Sequence, residues 1–134
     1  MNPIPAGRVM LTLSVLEGDY AVSRLEPDAP VPDWAWRGEL VNVSKTRDEL
    51  SILCISSSVP DDVRCEREWA ALKLHGPFEF TLTGILVSVL EPLRVAQIGI
   101  FAVSTFDTDY VLVKRDHLEL AIAALRKAGH DVRP

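Results

Sequence analysis

At 134 residues the chain has room for one ordinary domain or two very small ones, with enough length to bury a core. Its composition, 48% hydrophobic and 25% charged, is that of a soluble globular protein. A net charge of −5 with no run of Lys or Arg argues against nucleic acid or an anionic membrane as a partner.

Other signals point the same way. No apolar run approaches bilayer length, and residues 1–8 hold two prolines where a secretory leader would need an apolar core. Cys54 and Cys65 lack Cys-x-x-Cys spacing and read as thiols in a reducing cytosol, so the expected location is cytoplasmic.

Along the chain, Val9, Leu11, Leu13 and Val15 alternate as a strand would, and residues 20–25 follow as a second strand. The turn signal around Gly18 joins the two as a hairpin. Pro27, Pro30 and Pro32 make the next stretch a loop. Residues 33–36 read as one helical turn on which Trp34 and Trp36, two apart, cannot share a face. Residues 40–43 and 50–55 are two further strands around a turn at Thr46-Arg47-Asp48. The serines at 56–58 lack a nucleophile elbow. Residues 63–69 are ambiguous: their charges suit an exposed link, and a boundary is placed here, giving domains over 1–66 and 67–134.

The second half has a clearer rhythm. Residues 70–75 form a strand interrupted by Gly76-Pro77, and residues 78–82 continue extended. Thr81 or Thr83 can cap a helix in which Ile85, Val89, Leu93 and Ala96 face a core. Pro92 should kink or split that helix, and Gly99 should end it. Residues 100–104 and 109–114 are apolar enough for strands covered on both faces. Asp116, with Glu119 three residues on, opens a last helix that Gly129 ends, and residues 130–132 close with a short strand. The order is β-α-β-β-α-β, an α+β ferredoxin-like arrangement preceded by a mostly β first half.

Gly84-Ile85-Leu86, Gly99-Ile100 and the run Ser104-Thr105-Phe106-Asp107-Thr108-Asp109-Tyr110 together resemble an ACT domain. The likeness is to the branch of the aspartate-kinase regulatory pairs and the CASTOR-type arginine sensors. Small stand-alone bacterial proteins look similar along nearly the whole chain, including Leu13-Ser14-Val15-Leu16 and Gly18-x-Tyr20-Ala21. The resemblance implies a tandem: a degenerate ACT-like domain followed by an ACT domain. It implies a regulatory sensor that binds a free amino acid and assembles as a homodimer, without catalysis or a cofactor.

The resemblance also names contacts. The first loop and helix start supply Thr81, Thr83, Gly84, Ile85 and Leu86; the second loop supplies Ser104, Thr105, Phe106, Asp107 and Asp109. CASTOR-type sensors carry an acidic residue at the position of Thr81, so arginine is not carried over as the ligand. Elementary chemistry agrees with the assignment. A helix N-terminus suits a carboxylate, Gly84 permits close approach, and aspartates can accept from an ammonium group.

Each residue has a plainer reading beside this one. Gly84 can serve only tight packing, Asp107 and Asp109 can be turn formers, and Phe106 can be a core plug. Asp107 and Asp109 lack further oxygen ligands for a metal. His75, His117 and His130 lie apart, without a metal or triad pattern, and read as surface or strand-end residues. The competing function is an ACT-fold interaction module that has lost its ligand and docks an unidentified protein partner.

Overall fold

The computed structural model describes residues 9–78 and 83–134. The expected extended run at 78–82, and with it Thr81, lies outside the described residues beyond Phe78. The chain divides into two compact units, Glu17–Ala70 and the pair Met1–Leu16 with Ala71–Pro134. The sequence reading cut once, between 66 and 67; in the structure the N-terminal segment belongs with the C-terminal unit, and the division falls inside a strand.

The unit Glu17–Ala70 is built from β2 (Tyr20–Leu25), β3 (Asn42–Lys45), β4 (Leu50–Ile55) and the first six residues of β5 (Cys65–Leu74). Their order is β3-β4-β2-β5, antiparallel throughout. The crossovers carry only single 3₁₀ turns, Asp33–Trp36 and Ser56–Ser58. Three prolines deny the first crossover a helix, and its apolar residues pack the sheet directly: Ala35 is buried, with Ala29, Val31 and Trp34 against the core of Ala21, Leu50, Ile52 and Cys54. Trp36 is 60% exposed, as the two-residue spacing from Trp34 requires. Burial pushes the Cys54 thiol up, which leaves it unreactive.

Residues 65–69 are strand and not a linker. Cys65 faces the core while Glu66 does not, the alternation of a strand. A bulge interrupts the strand. Tyr20 pairs with Trp69 and Val22 with Glu66, so Arg67 and Glu68 together oppose Ala21. Glu68 takes a φ of 67° there.

In the other unit, β1 (Thr12–Val15) does not form a hairpin with β2. It pairs antiparallel with β5 through Leu13↔Leu74 and parallel with β8 (Asp131–Arg133) through Leu13↔Val132. The turn at Gly18 therefore does not reverse the chain. With β6 (Ile100–Ser104) and β7 (Asp109–Lys114), the order in this unit is β6-β7-β5-β1-β8. The β-α-β-β-α-β series is present, with an N-terminal strand inserted between its first and fourth strands. β7 buries Val111, Leu112 and Val113, but β6 stands at the edge and buries only Val103, so it is not covered on both faces.

Helix α1 (Ile85–Val95) runs unbroken through Pro92. The proline withholds the N–H that Ser88 C=O would accept. The ring of His130 fills the gap: Nε2 donates to Ser88 O at 2.8 Å, and Nδ1 accepts from Leu11 N–H at 3.1 Å. A carbonyl only accepts and an amide N–H only donates, which sets the tautomer. His130 is 4% exposed, a buried structural residue and not the surface one expected.

Gly99 does not end α1. Gln97, at φ 60°, does, with Ile98 N–H on Leu93 O (3.0 Å) and Gln97 N–H on Arg94 O (2.9 Å). Gly129 closes α2 (Leu118–Lys127) by the same pattern. A 3₁₀ turn, Arg115–His117, leads into α2; His117 stands at its N-cap, so Asp116 is not the capping residue expected.

Candidate functional site

The candidate residues fall on two short segments of the unit that contains α1. The first is the start of the helix. Gly84 is its N-cap at φ 82°, a left-handed conformation that a side chain resists. Among the described residues no side chain caps the helix, so the hydroxyl of Thr83, which is exposed, does not serve the capping role expected of it. Ser88 N–H returns to Gly84 O at 3.1 Å, and the Ser88 hydroxyl donates to Ile85 O at 2.6 Å. Ile85 and Leu86 are half-buried.

The second segment is the turn between β6 and β7. Ser104 and Asp109 are the last register pair of the two strands, and the Ser104 hydroxyl donates to Asp109 Oδ1. Thr105 N–H and Oγ1 both donate to Thr108 O, at 2.8 and 3.0 Å. This closed turn holds Phe106 outward, 79% exposed, so it is not a core plug. The Asp107 side chain is exposed.

Thr108, which was in the motif but not among the expected contacts, is the anchor. It is buried, and its hydroxyl donates to Leu74 O at 2.7 Å. Its sequence signal was a hydroxyl between two aspartates, which composition alone does not distinguish from a turn residue. Asp107 contributes through its backbone, where its carbonyl accepts Phe78 N–H at 2.8 Å. A Cβ at Gly76 would lie 2.8 Å from that carbonyl, so residue 76 must be glycine for the two stretches to meet.

The turn is thus tied to β5 and to the stretch that leads toward Gly84. Residues 79–82 between them, including Thr81, lie outside the description. Chemically the arrangement offers a helix N-terminus that no described side chain caps, suited to an anion, and a carboxylate pre-aligned by Ser104. Among the described residues no group of three or more His, Cys, Asp or Glu could hold a metal ion. Among them, too, no helix is long and apolar enough to cross a membrane.

An ACT-domain family model matches residues 64–127, and a second model, of an N-terminal domain, matches residues 18–62. A crystal structure of an Agobacterium tumefaciens protein is 43% identical, with a TM-score of 0.88 and 92% of each chain covered. The chain belongs to the ACT-domain family.

Its fold is shared more distantly. A Vibrio cholerae protein described as a possible transport protein is 13% identical, with a TM-score of 0.73, over 92% of this chain and 91% of that one. The ligand-free regulatory subunit of aspartate kinase from Thermus thermophilus is 8% identical, with a TM-score of 0.61, over 85% and 94%. No curated protein matches the sequence.

Proposed function

We propose that the chain is a cytoplasmic regulatory protein that senses a free amino acid and acts without catalysis of its own. The observation that carries this reading is the presence, in one unit, of a helix N-terminus at Gly84 that no described side chain caps and of the Asp109 carboxylate held by Ser104. The first suits a ligand carboxylate and the second a ligand ammonium. Thr83, Ile85, Leu86, Thr105, Phe106 and Asp107 complete the proposed contacts, and Thr81 belongs with them from the resemblance. Membership of the ACT family and a fold shared with an aspartate-kinase regulatory subunit support a regulatory role. The domain proposal follows: the first half is a degenerate ACT-like copy, the second the ligand-binding copy, and two chains assemble as a homodimer.

Thermal denaturation of the purified chain against each of the twenty amino acids tests this, because a ligand that binds only the folded state raises Tm by mass action. One amino acid should give a saturating rise beyond what the other nineteen give, an excess that Asp109→Ala abolishes and Ser104→Ala reduces, with affinity between about 1 mM and 1 μM, or roughly 4–8 kcal/mol. No rise with any of the twenty would sink the sensor and leave the protein-docking module.

A further inference from the structure

The unit Glu17–Ala70 carries a separate constellation, on the face of its sheet opposite the core cluster of Ala21, Ile52 and Cys54. Side chains alternate along a strand. Ala21, Ile52 and Cys65 belong to the core side, so Val22, Arg24, Ser51 and Glu66 share the opposite face. The register sets Ser51 beside Arg24 and Glu66 beside Val22. Glu49 and Arg64, two residues before Ser51 and Glu66, extend the same face. Arg24 N–H donates to Arg64 O at 3.0 Å. These six residues, with Ser23 and Cys65 between them along β2 and β5, line a cavity of about 230 Å³.

The charges there are balanced and set apart. Glu49 comes from the β4 side and Arg64 from the β5 side, and those strands flank β2, about 10 Å from each other. Arg24, in the middle, is already engaged: Nη2 donates to Asp48 O at 2.9 Å and Nη1 lies 3.6 Å from Glu26. The side chains of Glu49, Ser51 and Arg64 have no hydrogen-bond or ion-pair partner among the described residues. An anion would leave Glu49 unanswered and a cation would leave Arg64 unanswered. The volume is below that of a drug-sized site and suits a molecule of a few heavy atoms.

We propose that this cavity binds a small zwitterion of the size of a free amino acid, its carboxylate on the Arg64 guanidinium and its ammonium on the Glu49 carboxylate, with the Ser51 hydroxyl between them. The site is independent of the one at residues 104–109.

The test is an amide ¹H–¹⁵N titration of the full chain with glycine, the minimal zwitterion, and with acetate and ethylammonium at matched ionic strength. Glycine should give saturating shifts clustered at residues 22–24, 49–51 and 64–66, and neither half-ligand should. Glu49→Gln and Arg64→Gln should each weaken binding about tenfold, with Arg64→Lys retaining part of it. A dispersed amide spectrum in each variant shows that it is folded. Absence of saturating shifts at these residues, or an equal response to acetate, overturns the proposal. Shifts at residues 104–109 that persist in Arg64→Gln and vanish in Asp109→Ala report the other site, so either reading can fail alone.

Discussion

The two units follow one strand order and cover it in opposite ways. In Glu17–Ala70 the series β2, β3, β4, β5 is arranged β3-β4-β2-β5; in the other unit β5, β6, β7, β8 is arranged β6-β7-β5-β8, with β1 inserted before β8. The second unit crosses over by helices of eleven and ten residues, the first by 3₁₀ turns of four and three. The strand order therefore does not need the helices. It needs apolar side chains delivered to one face of the sheet and backbone groups paired on the way. In the helical unit most of that pairing is internal to α1 and α2. In the other it falls to side chains, above all to Arg67, whose guanidinium donates to Ser56 O (2.8 Å), Val59 O (3.0 Å) and Pro60 O (3.1 Å). The bulge at Arg67 and Glu68 is what brings that side chain to the loop.

The comparison breaks first where a helix borrows its pairing from a side chain. His130→Ala leaves the buried Ser88 O and the half-buried Leu11 N–H without their partner, and should lower stability by about 2 kcal/mol or more in urea unfolding. Pro92→Ala alone should change little, because the carbonyl is already occupied. In the His130→Ala background it should recover at least about 1 kcal/mol, since the new N–H can take Ser88 O. If the two effects simply add, His130 is not the substitute for the missing helix bond.

Next in size is Arg67→Ala, expected to cost about 2 kcal/mol through three stranded carbonyls. Arg67→Lys should recover little, because an ammonium cannot fan three directed bonds across a loop. A lysine variant as stable as the parent would mean that charge, not the fork, holds residues 56–60.

What could be read from the sequence follows the same division. The unit with real helices announced itself: the stripe of Val89 and Leu93, the strand at 109–114, the closing Gly129 and the paired loops at Gly84 and Ser104–Asp109 are local patterns, and local patterns survive into structure. The local misses, Gly99 and Asp116, shift a helix end by a residue or two; the misses that change the topology are long-range. Nothing near Gly18 says that β1 will pair with residues 72–74 and not with its neighbour β2, and nothing near Pro92 names a histidine thirty-eight residues away as its partner. The charges over residues 64–68 hid a strand because Arg64, Glu66 and Glu68 fall at alternate, exposed positions while Arg67, half-buried, is taken up by loop carbonyls. For the candidate site the sequence nominates Ser104, Thr105, Phe106, Asp107 and Asp109 in the second loop, but not the division of labour in which Thr108 anchors the turn and Asp107 works through its carbonyl.

The smallest effect compares one device used once in each unit. Gln97 closes α1 at φ 60° and Glu68 forms the β5 bulge at φ 67°, each in a left-handed conformation that a Cβ disfavours. Replacing either by glycine removes that strain but adds disorder to the unfolded chain, so the net gain is expected at roughly 0.5 kcal/mol. Gln97→Gly should reach it, because its closing bonds are all main-chain, Ile98 N–H on Leu93 O and Gln97 N–H on Arg94 O. Glu68→Gly should fall short or reverse in sign, because a looser bulge also loosens the aim of Arg67 at three carbonyls. Equal gains at both positions would mean that the bulge is held by the strands on either side of it and not by its own conformation, and that the Arg67 clamp is a consequence of the bulge and not part of what fixes it.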